Sequence, residues 1–221
     1  MCGKLIVIEG LDGSGKATQT NKLKETLTAE GKSVEALSFP CYDSDSSALV
    51  RMYLSGQLGQ RPEDVNCYAA STFYAADRYA SYRAVWGQRY LAGGMFVADR
   101  YTTSNAVHQM CKLERARWDE YLDWLFDFEY SKLGIPKPDA VIYLDMQPET
   151  SDRLMQKRYS GDESKKDIHE KDIHFQQISR EAASYCAKKY SWIIIPCDEG
   201  GELRTVDSIA GDVLASIKET L

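Results

Sequence analysis

Short apolar runs punctuate the chain: LIVIE at 5–9, VEALS at 34–38, MFVA at 95–98, AVIYLD at 140–145 and WIIIP at 192–196. They lack clean apolar–polar alternation, which is the pattern of strands covered on both faces. Longer helical patterns follow each run. They predict helices over 16–30, 46–55, 63–91, 104–113, 115–132, 148–158, 172–189 and 205–219. Pro62 and Pro148 sit where a first-turn proline is tolerated, and Gly31 where a helix ends on glycine. Strands alternating with helices predict a parallel α/β sandwich of three layers. No internal repeat and no Pro-, Gly- or Ser-rich linker divides the chain, so residues 1–221 read as one domain.

One segment breaks the pattern. YSGDESKKDIHEKD, at 159–172, is highly charged with almost no apolar residues. It reads either as a solvated loop or as a mobile lid over an anionic ligand. His169 and His174 within and beside it are five apart, off one helical face, so they make a poor zinc pair.

Composition narrows the classes. The chain is 43% hydrophobic and 27% charged, as soluble globular domains are. Its formal net charge of −6 argues against binding nucleic acid polymers, though a nucleotide needs only a local basic pocket. No apolar run approaches the ~20 residues that span a bilayer, so no membrane role is expected. The opening MCGKLIVIEG reads as a strand and not as a signal peptide. Cys2, Cys41, Cys67, Cys111, Cys186 and Cys197 form no CxxC pair, and free thiols in a reducing cytoplasm are expected.

The sharpest chemical signal is IVIEGLDGSGKATQT at 6–20. Gly10, Gly13 and Gly15 let the backbone turn tightly after the first strand, with N–H groups pointing inward. The helix beginning near Lys16 adds its unpaired N–H groups and positive dipole end. Gly10, Leu11, Asp12, Gly13, Ser14, Gly15, Lys16, Ala17 and Thr18 therefore form a candidate ATP-phosphate cradle, with the Lys16 charge reaching the outer phosphates. In standard phosphate-loop enzymes a Ser or Thr after the lysine binds Mg²⁺, and Ala17 cannot. Either the loop is inactive, or the metal is held through water, carboxylates and phosphate oxygens while Thr18 supplies a hydroxyl one place later. Nucleoside monophosphate kinases use the second arrangement.

Such an enzyme also needs cations for an acceptor phosphate and a slot for a base. MFVADRYTTSN offers Asp99 at a strand end, placed to orient hydrated Mg²⁺, and Arg100 beside it, able to bridge two phosphates. An ion pair between the two is the alternative. In STFYAADRYASYR, Tyr74 and Arg78 are four apart and share a helical face, as an aromatic shelf and a guanidinium would for a base; a core tyrosine with a surface arginine is the alternative. SFPCYDSDS brings Phe39 and Tyr42 toward the same crevice. All of these fall at strand C-terminal ends, where parallel sheets collect ligands.

Together GLDGSGKATQ, FPCY, FYAADR, VADRYTTSN and LGIPKPDAVIYLD resemble the thymidylate kinase family, over a stretch from Ile6 to Tyr190. The resemblance implies a five-stranded parallel sheet in a P-loop NTPase fold with a short lid at about 153–172. It also implies ATP and Mg²⁺ as co-substrate and cofactor, dTMP as acceptor giving dTDP, and a homodimer. Residue by residue, it implies Asp12 near the deoxyribose 3′-hydroxyl and the metal, Tyr74 stacking on thymine with Phe73 the neighbour if the register slips, and Arg78 and Asn105 on the base edge. It implies Phe39 and Tyr42 near the acceptor phosphate and sugar, Arg100 bridging phosphates, and Asp99 orienting the metal. His108 falls where the family usually has Tyr or Phe against the 2′ side of the sugar. The loop lacks an arginine, so a lid arginine is expected to act in catalysis. Arg153 and Arg158 are the candidates and Lys165 and Lys166 weaker ones. Glu170 matches a lid carboxylate near the metal or its waters. Two other readings remain at this stage: a kinase for another nucleoside monophosphate or a deoxynucleoside, and a nucleotide-binding module without turnover.

Overall fold

The computed structural model describes residues 3–160, 162, 167–199 and 201–218, without the side chains of Lys157 and Arg158. In chain order the elements are β1 (Lys4–Gly10), α1 (Lys16–Ala29), β2 (Val34–Ser38), α2 (Ala48–Leu54), α3 (Cys67–Ser81), α4 (Gly87–Leu91), β3 (Met95–Asp99) and α5 (Thr102–His108). There follow α6 (Trp118–Phe126), β4 (Ala140–Asp145), α7 (Pro148–Arg158), α8 (Ile173–Tyr190), β5 (Ile193–Pro196), a small hairpin of β6 (Asp198–Glu199) and β7 (Glu202–Leu203), and α9 (Val206–Ser216).

Strands β1 to β5 form a parallel sheet in the order β2-β3-β1-β4-β5. The central strand β1 is paired on both sides, with Ile6 opposite Val97 of β3 and Ala140 of β4. Its residues alternate between two cores, as the two-residue period of a strand demands. Ile6 and Ile8 pack with Leu23 and Leu27 of α1 and Ile209 and Val213 of α9. Leu5 and Val7 pack with Trp86, Tyr90 and Phe96 on the opposite face. Both faces are apolar because helices cover both, which is why the sequence reads as a continuous apolar run. A third cluster joins α5, α6 and α8 through Val107, Trp118, Leu122, Ala183 and Cys186.

The predicted five strands and three layers are present. The stretch expected as one helix over 63–91 starts instead at Cys67, where the Asn66 side chain accepts the Ala69 N–H at 2.9 Å; a short 3₁₀ turn, Pro62–Asp64, precedes it. Between α3 and α4 the chain winds as a π-helix, Tyr82–Trp86, and a second π-helical turn, Asp127–Lys132, closes α6. Periodicity alone does not reveal these insertions of a residue into a helical turn. The β6–β7 hairpin was not expected, since its strands are two residues each. Among the described residues no helix is long and apolar enough to cross a membrane.

Candidate active site

The loop after β1 wraps the N-terminus of α1. Gly13 has φ +81, and a Cβ there would lie 3.0 Å from the Ser151 carbonyl oxygen and Met155 Cγ. Only glycine permits α7 to approach the loop this closely. Ser151 completes the contact by donating its hydroxyl to the Asp12 carbonyl. Lys16 folds back over the loop, with Nζ donating to Leu11 O at 2.8 Å and lying 3.9 Å from Asp12 Oδ1. Burial, reinforced by the nearby Arg100 charge, lowers its ammonium to about 8. Ser14 is buried with an unpartnered hydroxyl, as expected of a cradle shaped for phosphate oxygens. Ala17 and Thr18 lie on the wall of the same cleft, Thr18 being the hydroxyl available in place of the missing one.

Arg100 leaves the end of β3 with φ 66, a left-handed conformation unusual for arginine, and its N–H donates to Ile8 O at 3.1 Å. Its side chain pairs with Asp12, and its Nη1 lies 3.2 Å from Ser104 Oγ and 2.8 Å from His108 Nε2. Burial works against the charges here. Even so, Arg100 and Lys16 hold the Asp12 carboxyl well below its usual range, and Asp12 and Glu9 hold Arg100 as a cation. His108 is kept neutral by burial and by Arg100, so its Nε2 accepts from the guanidinium. Asp99 also faces the cleft by Lys16.

Two cavities meet at this point. A compact one of about 490 Å³ is walled by Tyr74, Arg78, Asn105, His108 and His169. An open cleft of about 1540 Å³ runs over Gly13, Gly15, Lys16, Thr18 and Asp99. Asp12, Phe39, Tyr42, Arg100 and Asp167 belong to both walls. Phe73 and Tyr74 both pack against the cluster of Val50, Tyr53 and Leu54, and of the two Tyr74 lines the compact cavity. The predicted donor and acceptor residues thus converge on adjoining spaces.

The sequence reading missed a set of carboxylates beneath these residues. Glu9, fully buried, accepts Tyr101 N at 3.1 Å, Thr103 Oγ1 at 2.6 Å and Ser104 Oγ at 2.6 Å, tying β1 to the start of α5. Asp77 accepts Cys41 N at 2.8 Å and Ser46 Oγ at 2.6 Å, which fixes the loop carrying Phe39 and Tyr42. Arg51 holds the same loop through Tyr42 O at 2.7 Å and Ser44 O at 2.8 Å. Glu129 sits under Arg78 and Asn105.

Part of the charged segment docks onto the body. Ile168 is buried beside Val50, Tyr53 and Leu54, and its N–H reaches Leu54 O at 3.4 Å. His169 Nε2 lies 2.7 Å from Tyr53 Oη, which accepts Lys112 Nζ at 2.8 Å. Burial, with Lys112 adding to it, lowers His169 to about 3. Burial and the Asp12 charge raise Asp167 to about 7. Glu170 accepts Tyr159 Oη at 3.0 Å and faces the open cleft. Arg153 lies apart: its guanidinium donates to Thr150 Oγ1 and Gly201 O, both at 3.1 Å, toward the β6–β7 turn. The side chain of Arg158 and residues Lys165 and Lys166 lie outside the described residues. Asp99, Asp12 and Glu170 were expected at a metal. Among the described residues no group of three His, Cys, Asp or Glu is clustered to cage one.

A phosphate loop opening a parallel sheet of this order, with a second cavity sharing its wall, defines a P-loop kinase architecture. The thymidylate kinase family model matches residues 8–206. Thymidylate kinase of Mycobacterium tuberculosis is 32% identical over 201 residues, covering 88% of this chain and 92% of that protein. Human thymidylate kinase is 32% identical over 145 residues, covering 66% of this chain and 62% of that protein. The solved thymidylate kinase of Candida albicans superposes with a TM-score of 0.71 at 21% identity, covering 99% of this chain and 92% of that one. The chain belongs to the thymidylate kinase family, and is therefore a kinase, a phosphotransferase.

Proposed function

We propose that the protein transfers the γ-phosphoryl group of ATP to dTMP, giving ADP and dTDP, with Mg²⁺ as cofactor. The observation that carries this reading is the common wall of the two cavities, where Asp12 and Arg100 face both. The open cleft takes ATP along residues 10–18, and the compact cavity takes the nucleoside monophosphate. Tyr74 offers its ring to the base, and Arg78 and Asn105 its edge. Phe39, Tyr42 and His108 flank the sugar and phosphate end, with Asp12 at the 3′-hydroxyl.

The donor set fits Mg²⁺ held chiefly through water and phosphate oxygens, since Ala17 has no hydroxyl and no described three-residue cage is present. Asp99, Asp12 and Glu170 would orient its waters, and the ion would neutralise charge on the phosphates. The acceptor is already anionic, so no residue need remove a proton from it. The protein's own contribution is positioning and charge. Lys16 and the loop amides hold the donor phosphates, and Arg100, kept charged by Asp12, bridges toward the acceptor.

Residues 153–172 form the lid on this reading, and the whole chain is one domain. The docking of Ile168 and His169 on α2 supports a closing element. Arg158 and Arg153 remain the lid arginines proposed for the transition state. Arg153 has to leave Gly201 O to act. Exposed Leu49, Met52, Tyr79 and Val85 on and after α2 and α3 support a homodimer, and the five free cysteines among the described residues support a cytoplasmic setting.

The test is ADP release with Mg²⁺–ATP, offering dTMP beside dUMP, UMP, AMP and thymidine. Turnover led by dTMP is expected. Turnover led by another acceptor would keep the chemistry and overturn the base assignment. ATP binding without turnover on any acceptor would leave a nucleotide-binding module.

A further inference from the structure

The side chains at the base slot are held by one buried carboxylate. Glu129 lies in the π-helical turn Asp127–Lys132 and is fully buried. Each of its oxygens accepts two hydrogen bonds. Oε1 takes Arg78 Nη2 at 2.5 Å and Asn105 Nδ2 at 3.2 Å. Oε2 takes Arg78 Nε at 2.7 Å and Thr102 Oγ1 at 2.9 Å. The π-helical widening, with Leu133 N donating to Phe128 O at 2.9 Å across five residues, shifts the side-chain phase and brings Glu129 under the cavity.

This arrangement fixes which way the Asn105 amide faces. Its nitrogen contacts Glu129 and also Ser71 O at 3.3 Å. A carboxylate and a carbonyl can only accept, so the nitrogen must face them and both its hydrogens are used. The Asn105 oxygen is then what that side chain has for a ligand. Arg78 gives Nε–H and one Nη2–H to Glu129 and one Nη1–H to Tyr101 O at 3.3 Å, so two of its five N–H donors remain. Both residues line the compact cavity. Its wall therefore presents a donor next to an acceptor.

We infer that Glu129 is a positioning residue that sets the hydrogen-bond polarity of the base slot, admitting a 4-keto, N3–H pyrimidine and rejecting a 4-amino pyrimidine. The inference rests on the proposed reading of this cavity as the acceptor-nucleotide site. A keto pyrimidine offers O4 to the guanidinium and N3–H to the Asn105 oxygen. Cytosine offers the reverse, a lone pair at N3 and an amino group at C4, so like meets like and buried groups stay unpaired. If Glu129 were only a counter-ion that keeps Arg78 folded in place, its loss would depress every acceptor alike.

The test compares kcat/KM for dTMP and dCMP, with Mg²⁺–ATP, in the unmodified protein and in Glu129→Gln. The glutamine keeps the shape but turns one acceptor oxygen into an NH₂ donor, which loosens the hold on Arg78 and leaves Ser71 O as the one remaining acceptor that orients the Asn105 amide. In the variant kcat/KM for dTMP should fall about 100-fold, mostly through KM, as lost charged hydrogen bonds predict. The dTMP-to-dCMP ratio should shrink at least ~10-fold. Glu129→Asp, which restores the carboxylate, should recover most of the ratio. Parallel losses that leave the ratio unchanged in Glu129→Gln would overturn the inference. If that variant does not fold, judged by circular dichroism and ATP binding, Thr102→Val is read instead, since it removes one of the four bonds on Glu129. Its ratio should shrink roughly threefold, as the loss of one hydrogen bond implies, and an unchanged ratio overturns the inference. Unmodified protein that turns over no dTMP at all would sink the function reading itself, which is a different result.

Discussion

The two cavities differ in how much of their chemistry is already in place. Around the compact one, Arg78, Asn105 and the Phe39–Tyr42 loop are each tied down by a buried acid, Glu129 or Asp77. In the open cleft, Lys16 spends its ammonium on the loop's own Leu11 carbonyl, and Arg153 points away. On the proposed reading the compact cavity is the acceptor side and is preorganised, so binding there loses little to rearrangement. The cleft, as the donor side, must exchange internal contacts for those to phosphate. The contrast implies that specificity resides in the compact cavity, and that closure and turnover depend on the cleft.

Four measurements bear on that contrast. Arg100 belongs to both walls, so its loss should cost most. Arg100→Ala should lower kcat by roughly 10³-fold, as removal of a cation aimed at transferring phosphate does, with the fold intact by circular dichroism. Near-normal turnover would remove Arg100 from the chemistry and break the idea of a shared wall. Tyr74→Ala should act on binding alone: loss of a stacking partner worth ~1–3 kcal/mol raises KM for dTMP about 5- to 150-fold with kcat nearly unchanged. A fall in kcat instead would mean that the ring positions the phosphate as well. Asp77→Asn should weaken the hold on the Phe39–Tyr42 loop, raising KM for dTMP a further step down the scale, about fivefold, with KM for ATP unmoved.

The smallest effect concerns pH. Docking of residues 167–170 shifts two groups in opposite directions. Burial and Asp12 raise Asp167 from 3.8 to about 7, so docking takes up a proton there and strengthens as pH falls from about 7 toward 4. Burial and Lys112 lower His169 from 6.5 to about 3, so docking expels a proton there and weakens as pH falls from about 6.5 toward 3. Between about pH 4 and 6.5 the two terms offset each other. Asp167→Asn should therefore expose the histidine term, and amide exchange at 168–170, corrected for intrinsic rates, should speed up between pH 7 and pH 5. His169→Gln should do the reverse. Identical pH responses in both variants would show that this turn is not governed by the pair.

Much of the site was legible because its residues sit in short, contiguous motifs at strand ends. The phosphate loop needs glycines at fixed offsets, and DRY and FPCY follow β3 and β2 directly. What escaped notice is of a different kind. Glu129 lies 51 residues from Arg78 in sequence, on a helix whose π turn alters the side-chain phase. Glu9 reads as one polar residue within an apolar strand, and only the fold reveals the three donors of α5 and its cap converging on it. Asp77 stands next to Arg78 in a motif already noticed, yet it serves a loop 36 residues away. Periodicity reports which face of an element is buried, and it is silent on which buried acid meets which donor. The segment proposed as a lid was legible as composition but not as geometry: its charge run concealed that Ile168 and His169 pack onto α2.

The backbone at Arg100 bears on how this protein can be engineered or can evolve. A side chain other than glycine at φ 66 costs roughly 1–2 kcal/mol, and glycine would relieve that strain. Asp12 would keep Lys16 as a partner if the guanidinium were lost. A screen that rewards only heat resistance is therefore drawn toward glycine at position 100, where, on the proposed role of Arg100, it would collect robust proteins without activity. Selection for turnover pulls the same codon the other way, so stabilised variants of this protein should be sought with position 100 held fixed.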